Sequence, residues 1–177
     1  KLQACDDIEC WDSEVIAVAA ALNDAIGYFK PLDPDIDDSF GGYYQAFGAL
    51  RRTPTPGLPL SGDGSTLVVG APWDDSGDTG VGSSAANDSA TDSGAVYVLT
   101  RTDVGTWERQ AYIKAPNSDA ADEFGSAISL SADGSVLAVS SILEDSAAIG
   151  NDGEWANNSE EDTPEVYVYT LDDTGAW

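Results

Sequence analysis

Two long acidic loops hold most of the residues in this sequence that could do chemistry. One follows "STLVVGAP" (residues 65–72), and the other follows "SVLAVSSI" (residues 135–142). Ca²⁺ takes about six to eight oxygen ligands from carboxylates, amides and carbonyls on flexible loops. The loops are therefore predicted to bind Ca²⁺, and plain solvation is the alternative. The candidate metal ligands are Asp74, Asp75, Asp78, Asp88, Asp92, Glu144, Asp145, Asp152 and Asp162.

The same sequence gives little indication of an enzyme active site. The chain has no histidine, no Gly-x-Ser-x-Gly elbow and no phosphate-binding loop. Adjacent carboxylates such as Asp74 and Asp75 could serve glycoside hydrolysis. In a chain with 32 acidic residues, however, such pairs arise by chance. The sequence predicts that the protein is not an enzyme.

The two cysteines, Cys5 and Cys10, stand close together in "ACDDIEC". This spacing fits a disulfide that closes a hairpin in an oxidising compartment. The alternative is a two-thiolate metal site, which would need further Cys or His ligands. Two Asn-x-Ser sequons, at Asn87 and Asn157, could carry glycans or could reflect repeat duplication. We expect a secreted, mature chain that is extracellular or at a cell surface.

The charge balance excludes several classes of partner. Seven Lys and Arg face 32 Asp and Glu, which gives a net charge of −25. Nucleic acids and anionic membrane surfaces require clustered cations, so neither is expected as a partner. The longest apolar run, residues 15–22, is shorter than the roughly 18 residues of a membrane span. Self-repulsion on this scale indicates either bound Ca²⁺ or a high-salt environment that screens the charge.

An internal repeat organises the chain that carries these loops. "SGDGSTLVVGA" at 61–71 aligns with "SADGSVLAVSS" at 131–141, and "GAVYVLTRTDVGTW" at 94–107 aligns with "PEVYVYTLDDTGAW" at 164–177. Both alignments have an offset of 70 positions. A diverged third copy precedes them, with Tyr43 at the place of Tyr97 and Tyr167. The predicted units are 1–50, 51–115 and 116–177, and we expect them to form one continuous domain.

Each unit has the pattern of short antiparallel strands. In "FGSAISLS" (124–131), Ile128 and Leu130 alternate with small residues, and the Asp-Gly pairs that follow each first strand predict tight turns. A helix over residues 13–29 is the rival interpretation for the N-terminal unit. Four strands per unit are typical of a propeller blade. The predicted sheet core is Val68, Val96, Val98, Ile128, Leu130, Val139 and Val166.

At these residues the chain resembles the FG-GAP repeat family, the blades of integrin-type β-propellers, in its bacterial and archaeal surface variety. The resemblance rests on Phe124-Gly125, Gly70-Ala71-Pro72, the two Asp-Gly hairpins, "SGAVYV" (93–98) and "ERQAYIKAPN" (108–117). The family's calcium loop is not retained, because only Asp63 and Asp133 stand at its acidic positions. We therefore interpret those two as turn residues. The resemblance implies loops that present a surface to protein or glycan ligands.

These observations predict an all-β protein of about three four-stranded, propeller-like blades that do not close by themselves. Unpaired sheet edges recruit other strands. We therefore expect a calcium-stabilised structural or adhesive subunit that forms homo-oligomers or polymers through strand edges. The alternatives are an adhesion module that binds a ligand, a fragment of a larger propeller, and a halophilic surface protein without a specific metal.

Overall fold

The computed structural model describes residues 3–5, 10–12, 29–31, 33–34, 38–42, 57–150, 158–160 and 162–177. Over these residues the chain is all-β and contains no helix, as predicted. In the same ranges, accordingly, no helix is long and apolar enough to cross a membrane. The rival helix at 13–29 falls outside the described residues apart from its last position. The strands are β1 (Gln3–Cys5), β2 (Cys10–Asp12), β3 (Thr66–Ala71), β4 (Ala95–Arg101), β5 (Trp107–Ile113), β6 (Ala127–Leu130), β7 (Val136–Ser141) and β8 (Glu165–Thr170).

The strands form one hairpin and two larger sheets, all antiparallel. Strands β1 and β2 pair with Cys5 directly opposite Cys10. Directly opposite strand positions lie within the usual Cα separation of a disulfide, and the disulfide itself stays a prediction. The first sheet has the order β3-β4-β5 and the second sheet has the order β6-β7-β8. Neither sheet closes on itself.

The two sheets repeat each other at the offset found in the sequence. Strand β7 corresponds to β3, and β8 corresponds to β4. A short stretch at 57–60 takes the place of β6 beside β3, because the Val68 N–H donates to the Pro59 carbonyl at 3.0 Å. Strand β5 pairs with the outer edge of β4, and in the described part of the chain nothing pairs with the corresponding edge of β8.

The Asp-Gly turns between the first two strands of each unit are confirmed. Gly64 and Gly134 have φ values of 71° and 73°, a region that glycine enters without strain. The Asp63 carboxylate accepts hydrogen bonds from the Ser61 hydroxyl and from the backbone N–H of Ser65. These bonds lower the pKa of Asp63 to about 2. Asp133 has the same role in the second sheet, where it bonds Ser131 and Ser135.

Each sheet has two apolar faces, because successive strand residues point to opposite sides. We call one the front face. In the first sheet it consists of Leu67, Val69, Tyr97 and Leu99, and in the second sheet of Leu137, Val139, Tyr167 and Tyr169. The other is the back face, which consists of Val68, Val96 and Val98 in the first sheet and of Ala138, Val166 and Val168 in the second.

The two sheets pack head to tail. One buried cluster joins the back face of the first sheet to the front face of the second sheet. Phe124 lies in this cluster, with its ring centroid 5.6 Å from that of Tyr167. Phe29 and Phe40 pack against the front face of the first sheet. The back face of the first sheet therefore packs against the front face of the second sheet, so two faces of different kinds are in contact.

The core prediction is correct except at one residue. Val68, Val96, Val98 and Val139 are fully buried. Ile128 and Leu130 are half-buried and pack against the same cluster. Val166, however, is 68% exposed, so its predicted place in the core is wrong. It lies on the back face of the second sheet, which no described segment covers.

The closest approach between the sheets involves backbone. Gly94 forms a parallel bridge with Phe124. A Cβ atom on Gly94 would collide with the Phe124 backbone, and Gly94 also has a φ of 83°. Gly125, with a φ of 95°, lies against the Ala95 carbonyl, which a Cβ would approach to 2.7 Å. Glycine is therefore required at both positions for the sheets to pack this closely.

Candidate functional site: two acidic pockets

The first pocket forms where the chain leaves β3 and turns into the first acidic loop. Asp74 is buried there beneath the front face of the first sheet. Its carboxylate accepts hydrogen bonds from the Tyr112 hydroxyl at 2.7 Å, the Tyr97 hydroxyl at 3.2 Å and the Ser76 backbone N–H at 3.1 Å. Strands β4 and β5 supply the two tyrosines. The sheet therefore surrounds a buried carboxylate with donors.

A buried lysine completes the first pocket. Lys114 follows β5, is fully buried, and places its Nζ 3.5 Å from Asp74 Oδ1. The same ammonium donates to the Ser93 hydroxyl at 2.7 Å. Burial lowers the pKa of Lys114, and the Asp74 charge opposes that shift. A buried ion pair of this kind requires both partners, since either charge alone would be uncompensated.

The loop backbones of the two pockets follow the same plan. The Ser93 hydroxyl donates to the carbonyl of Ser76 at 2.8 Å and lies 3.1 Å from that of Asp74. Thr163, the equivalent of Ser93, contacts the carbonyls of Glu144 and Ser146 in the same way. Each loop therefore closes onto the strand that follows it.

The second pocket has Glu144 at the place of Asp74. Glu144 is fully buried, and Asn117 donates to its Oε1 at 2.6 Å. The Tyr167 hydroxyl lies 3.3 Å from its Oε2 and 2.8 Å from Asn117 Oδ1. Among the described residues, no lysine or arginine forms an ion pair with Glu144. The second pocket thus repeats the acid and the tyrosine of the first but not its cation.

The acids of the second pocket have raised pKa values. Burial, together with the charges of Asp122 and Glu165, raises the pKa of Glu144 to about 8. Asp122 is itself buried beside the pocket, and burial raises its pKa to about 6. Its Oδ1 atom has no hydrogen-bond partner in the part of the chain that the structure describes. Burial and the neighbouring carboxylates therefore both favour the neutral form of Glu144.

Several predicted metal ligands have structural partners of their own. Asp75 accepts the Asp92 backbone N–H at 2.8 Å, and Asp145 accepts the Asp162 backbone N–H at 3.0 Å. Both Asp92 and Asp162 have a φ of 55°, so these bonds stabilise matching left-handed turns. The aligned acids therefore close the two loops.

The remaining candidates that the structure describes do not gather into one site. Asp78 accepts from the Ser84 N–H and the Asn87 side chain. Asp88 is exposed, as is the sequon residue Asn87, while Asp152 and Asn157 lie outside the described residues. Across the described ranges, no three acidic, His or Cys residues are placed to hold a metal ion.

Sequence reasoning did not identify Lys114 and Tyr112 as parts of the site. The available signal was the apolar context of Lys114 in "AYIKA" (111–115), which is unusual for one of only seven cations in the chain. A lysine within a strand-like apolar run needs a buried anion. Asp74 is that anion.

Comparison with known proteins adds no further information. No protein-family model matches this chain, and neither a curated protein nor a solved structure matches it.

Proposed function

We propose that this protein is a non-enzymatic, extracellular structural or adhesive repeat protein that assembles with further copies of itself. Its sheets are interpreted as propeller-like blades: the stretch 57–60 with β3, β4 and β5 forms one blade, and β6, β7 and β8 form part of the next. The single observation that supports assembly is the head-to-tail packing of the back face of one sheet against the front face of the other.

The back faces of the two sheets differ in how far their valines are exposed. Val96 and Val98 of the first sheet are fully buried beneath the front face of the second sheet. Their equivalents Val166 and Val168 are 68% and 63% exposed, and Val136 beside them is 39% exposed. Contiguous exposed apolar side chains on one sheet face are typical of interaction sites. The front face of the first sheet is already covered by Phe29 and Phe40, so in the proposed assembly this exposed back face packs against another surface of a second copy.

This packing is heterologous, since two different surfaces meet. Heterologous contacts generate rings when the rotation closes and open filaments when it does not. A chain whose copies pack head to tail in this way would be a self-assembling surface or filament subunit.

The proposal also includes calcium binding, which the acidic composition of the two loops supports. The hydrogen bonds of Asp75 and Asp145 close the loops without an ion. Calcium would therefore bind to loops whose backbone conformation these hydrogen bonds already stabilise.

Size-exclusion chromatography with light scattering tests the assembly. We expect concentration-dependent oligomers of the wild-type chain. The double variant Val166→Asp and Val168→Asp should be monomeric and should melt at an unchanged temperature, because both residues are exposed. Val104→Asp makes the same type of change at an 85% exposed position between β4 and β5 of the first sheet; it is the matched control and should leave the oligomers intact. A wild-type chain that remains a compact monomer at high concentration would contradict self-assembly and favour a ligand-binding adhesion module.

A further inference from the structure

The connection between β5 and β6 (residues 114–126) contains both of the buried side-chain atoms that have no hydrogen-bond partner in the described part of the chain. They are Oδ1 of Asp122 and Oγ of Ser118. Asp122 is 1% exposed and Ser118 is 9% exposed. A buried polar atom without a partner costs free energy unless a water molecule or an ion contacts it. Two such atoms in one short connection therefore indicate a bound species there.

The surrounding backbone holds the Asp122 carboxyl group in place. Its Oδ2 atom accepts the Asp119 backbone N–H at 2.6 Å, and the Asp122 carbonyl accepts the Ser141 hydroxyl at 2.7 Å. Ala121 and Glu123, on either side, have φ values of 73° and 52°, which turn the chain sharply at this residue. The Oδ1 atom is thus fixed in position, although no described group donates a hydrogen bond to it.

A second buried carboxyl group lies against Asp122. The carboxyl group of Glu144 is within hydrogen-bonding reach of that of Asp122, and Glu144 is fully buried. Asn117 donates to Glu144 Oε1 at 2.6 Å, and the Tyr167 hydroxyl lies 3.3 Å from Oε2. Two ionised carboxylates this close repel each other strongly in a low-dielectric environment. Either a proton or a cation is therefore needed between them.

A shared proton and a bound cation account for different atoms. A proton would join one oxygen of Asp122 to one oxygen of Glu144, and it would leave the Ser118 hydroxyl buried without a partner. Ca²⁺ takes several oxygen ligands at once, from carboxylates and from neutral groups. Ser118 directly follows Asn117, whose side chain bonds Glu144. A cation beside the two carboxylates therefore accounts for both unpartnered atoms, whereas a proton accounts for one.

We propose that a calcium ion binds between the carboxylates of Asp122 and Glu144, with the Ser118 hydroxyl as a neutral ligand and water completing the coordination. The inference rests on the calcium part of the function proposed above, and it assigns the ion to a buried pair rather than to the loop-closing acids. Two carboxylates neutralise the charge of one divalent ion, which offsets the cost of burying the charges. Since no three acidic residues gather around one point in the described ranges, neutral oxygens supply the other ligands.

Isothermal titration calorimetry of the full chain with CaCl₂, in NaCl at physiological ionic strength, measures the binding. We expect a saturable site. Asp122→Asn and Glu144→Gln each remove one ligand charge with almost no change in side-chain size, and each should weaken binding about tenfold or more. Ser118→Ala removes only the unpartnered hydroxyl. It should weaken binding by a smaller factor and leave the melting temperature without Ca²⁺ unchanged.

Two control variants separate this site from general attraction to the acidic chain. Asp173→Asn removes one negative charge at an exposed position. Asp78→Asn removes a candidate ligand of the first acidic loop. Neither change should alter the affinity of the site, and circular dichroism checks that every variant keeps its β structure.

Unchanged Ca²⁺ affinity in folded Asp122→Asn and Glu144→Gln proteins would overturn the proposal. Binding that Asp78→Asn abolishes and Asp122→Asn preserves would also overturn it, while calcium binding by the loops would stand. Absence of saturable binding would overturn both and would leave a shared proton between the two carboxyl groups. Self-assembly is measured separately by light scattering, so its failure is distinguishable from failure of this site.

Discussion

The two acidic pockets share the same loop backbone hydrogen bonds, but they differ in the charges around the buried acid. In the first, Asp74 pairs with Lys114 and receives hydrogen bonds from two tyrosines. In the second, Glu144 has Asn117 and Tyr167 but no described cation, and its pKa rises to about 8. The difference shows that a repeated loop determines where a buried acid lies, while the strand beside it determines the charge of that acid.

Separating the ion pair of the first pocket should have the largest effect. Lys114→Met leaves the Asp74 charge buried without its cation, and removal of one partner from a buried pair costs about 3–5 kcal/mol. Urea unfolding followed by tryptophan fluorescence measures the loss. Glu144→Gln in the second pocket is the matched change and should be neutral or stabilising at pH 8. A Lys114→Met protein as stable as wild type would contradict the assigned role of the ion pair.

The second pocket should make stability fall as pH rises. Glu144 and Asp122 have folded-state pKa values of about 8 and about 6, above their ordinary values of 4.5 and 3.8. Between those limits the folded protein holds protons that the unfolded chain releases. The resulting stability is fully present below about pH 4 and is lost as pH rises to about 8. Each group contributes at most about 1.4 kcal/mol per pH unit.

Thermal melting between pH 5 and pH 8 measures this slope. The melting temperature should rise on acidification over that range, and Glu144→Gln should flatten the upper part of the curve. The control is Asp173→Asn, an exposed change that leaves Glu144, Asp122, Asp119 and Glu165 around the pocket intact. A wild-type curve that rises with pH throughout would show that Glu144 is ionised in the folded protein.

The two back faces offer a comparison between buried and exposed copies of the same residue. Val96→Ala removes two methyl groups from a closed core and should cost about 2 kcal/mol. Val166→Ala, the equivalent change on the exposed face, should stay within about 0.5 kcal/mol. Urea unfolding of dilute, monomeric protein measures both. Equal losses would mean that the back face of the second sheet is covered in solution.

Calcium should have the smallest effect, since the loop carboxylates already have partners. We expect millimolar Ca²⁺ to raise the melting temperature beyond NaCl of matched ionic strength, through RT ln(1 + [L]/Kd). Asp75→Asn with Asp145→Asn should reduce that increment and should also weaken the loops without Ca²⁺, because both carboxylates accept backbone N–H groups. Equal responses to the two salts would contradict calcium binding.

The sequence predicted the strands well because their signals are local. The offset of 70 positions correctly matched the loops, the Asp-Gly turns and the tyrosines. Alternation placed Val166 on an apolar face, but it could not tell whether another segment covers that face. Nor could it predict that Lys114 reaches Asp74 across 40 positions, because that contact depends on the order of strands in the sheet.

The backbone contact at Gly94 has a consequence for symmetry. At Gly94 and Gly125 the backbones of the two sheets approach each other without intervening side chains. This close approach fixes the translation and rotation that relate one sheet to the next. The equivalent of Gly94 in the second sheet is Pro164, which has a ring and no N–H group. A unit that packs on the second sheet therefore cannot be related to it by the same translation and rotation. In the assembly proposed above, the contact that the second sheet makes with a further unit would therefore have a different rotation from the contact between the two described sheets.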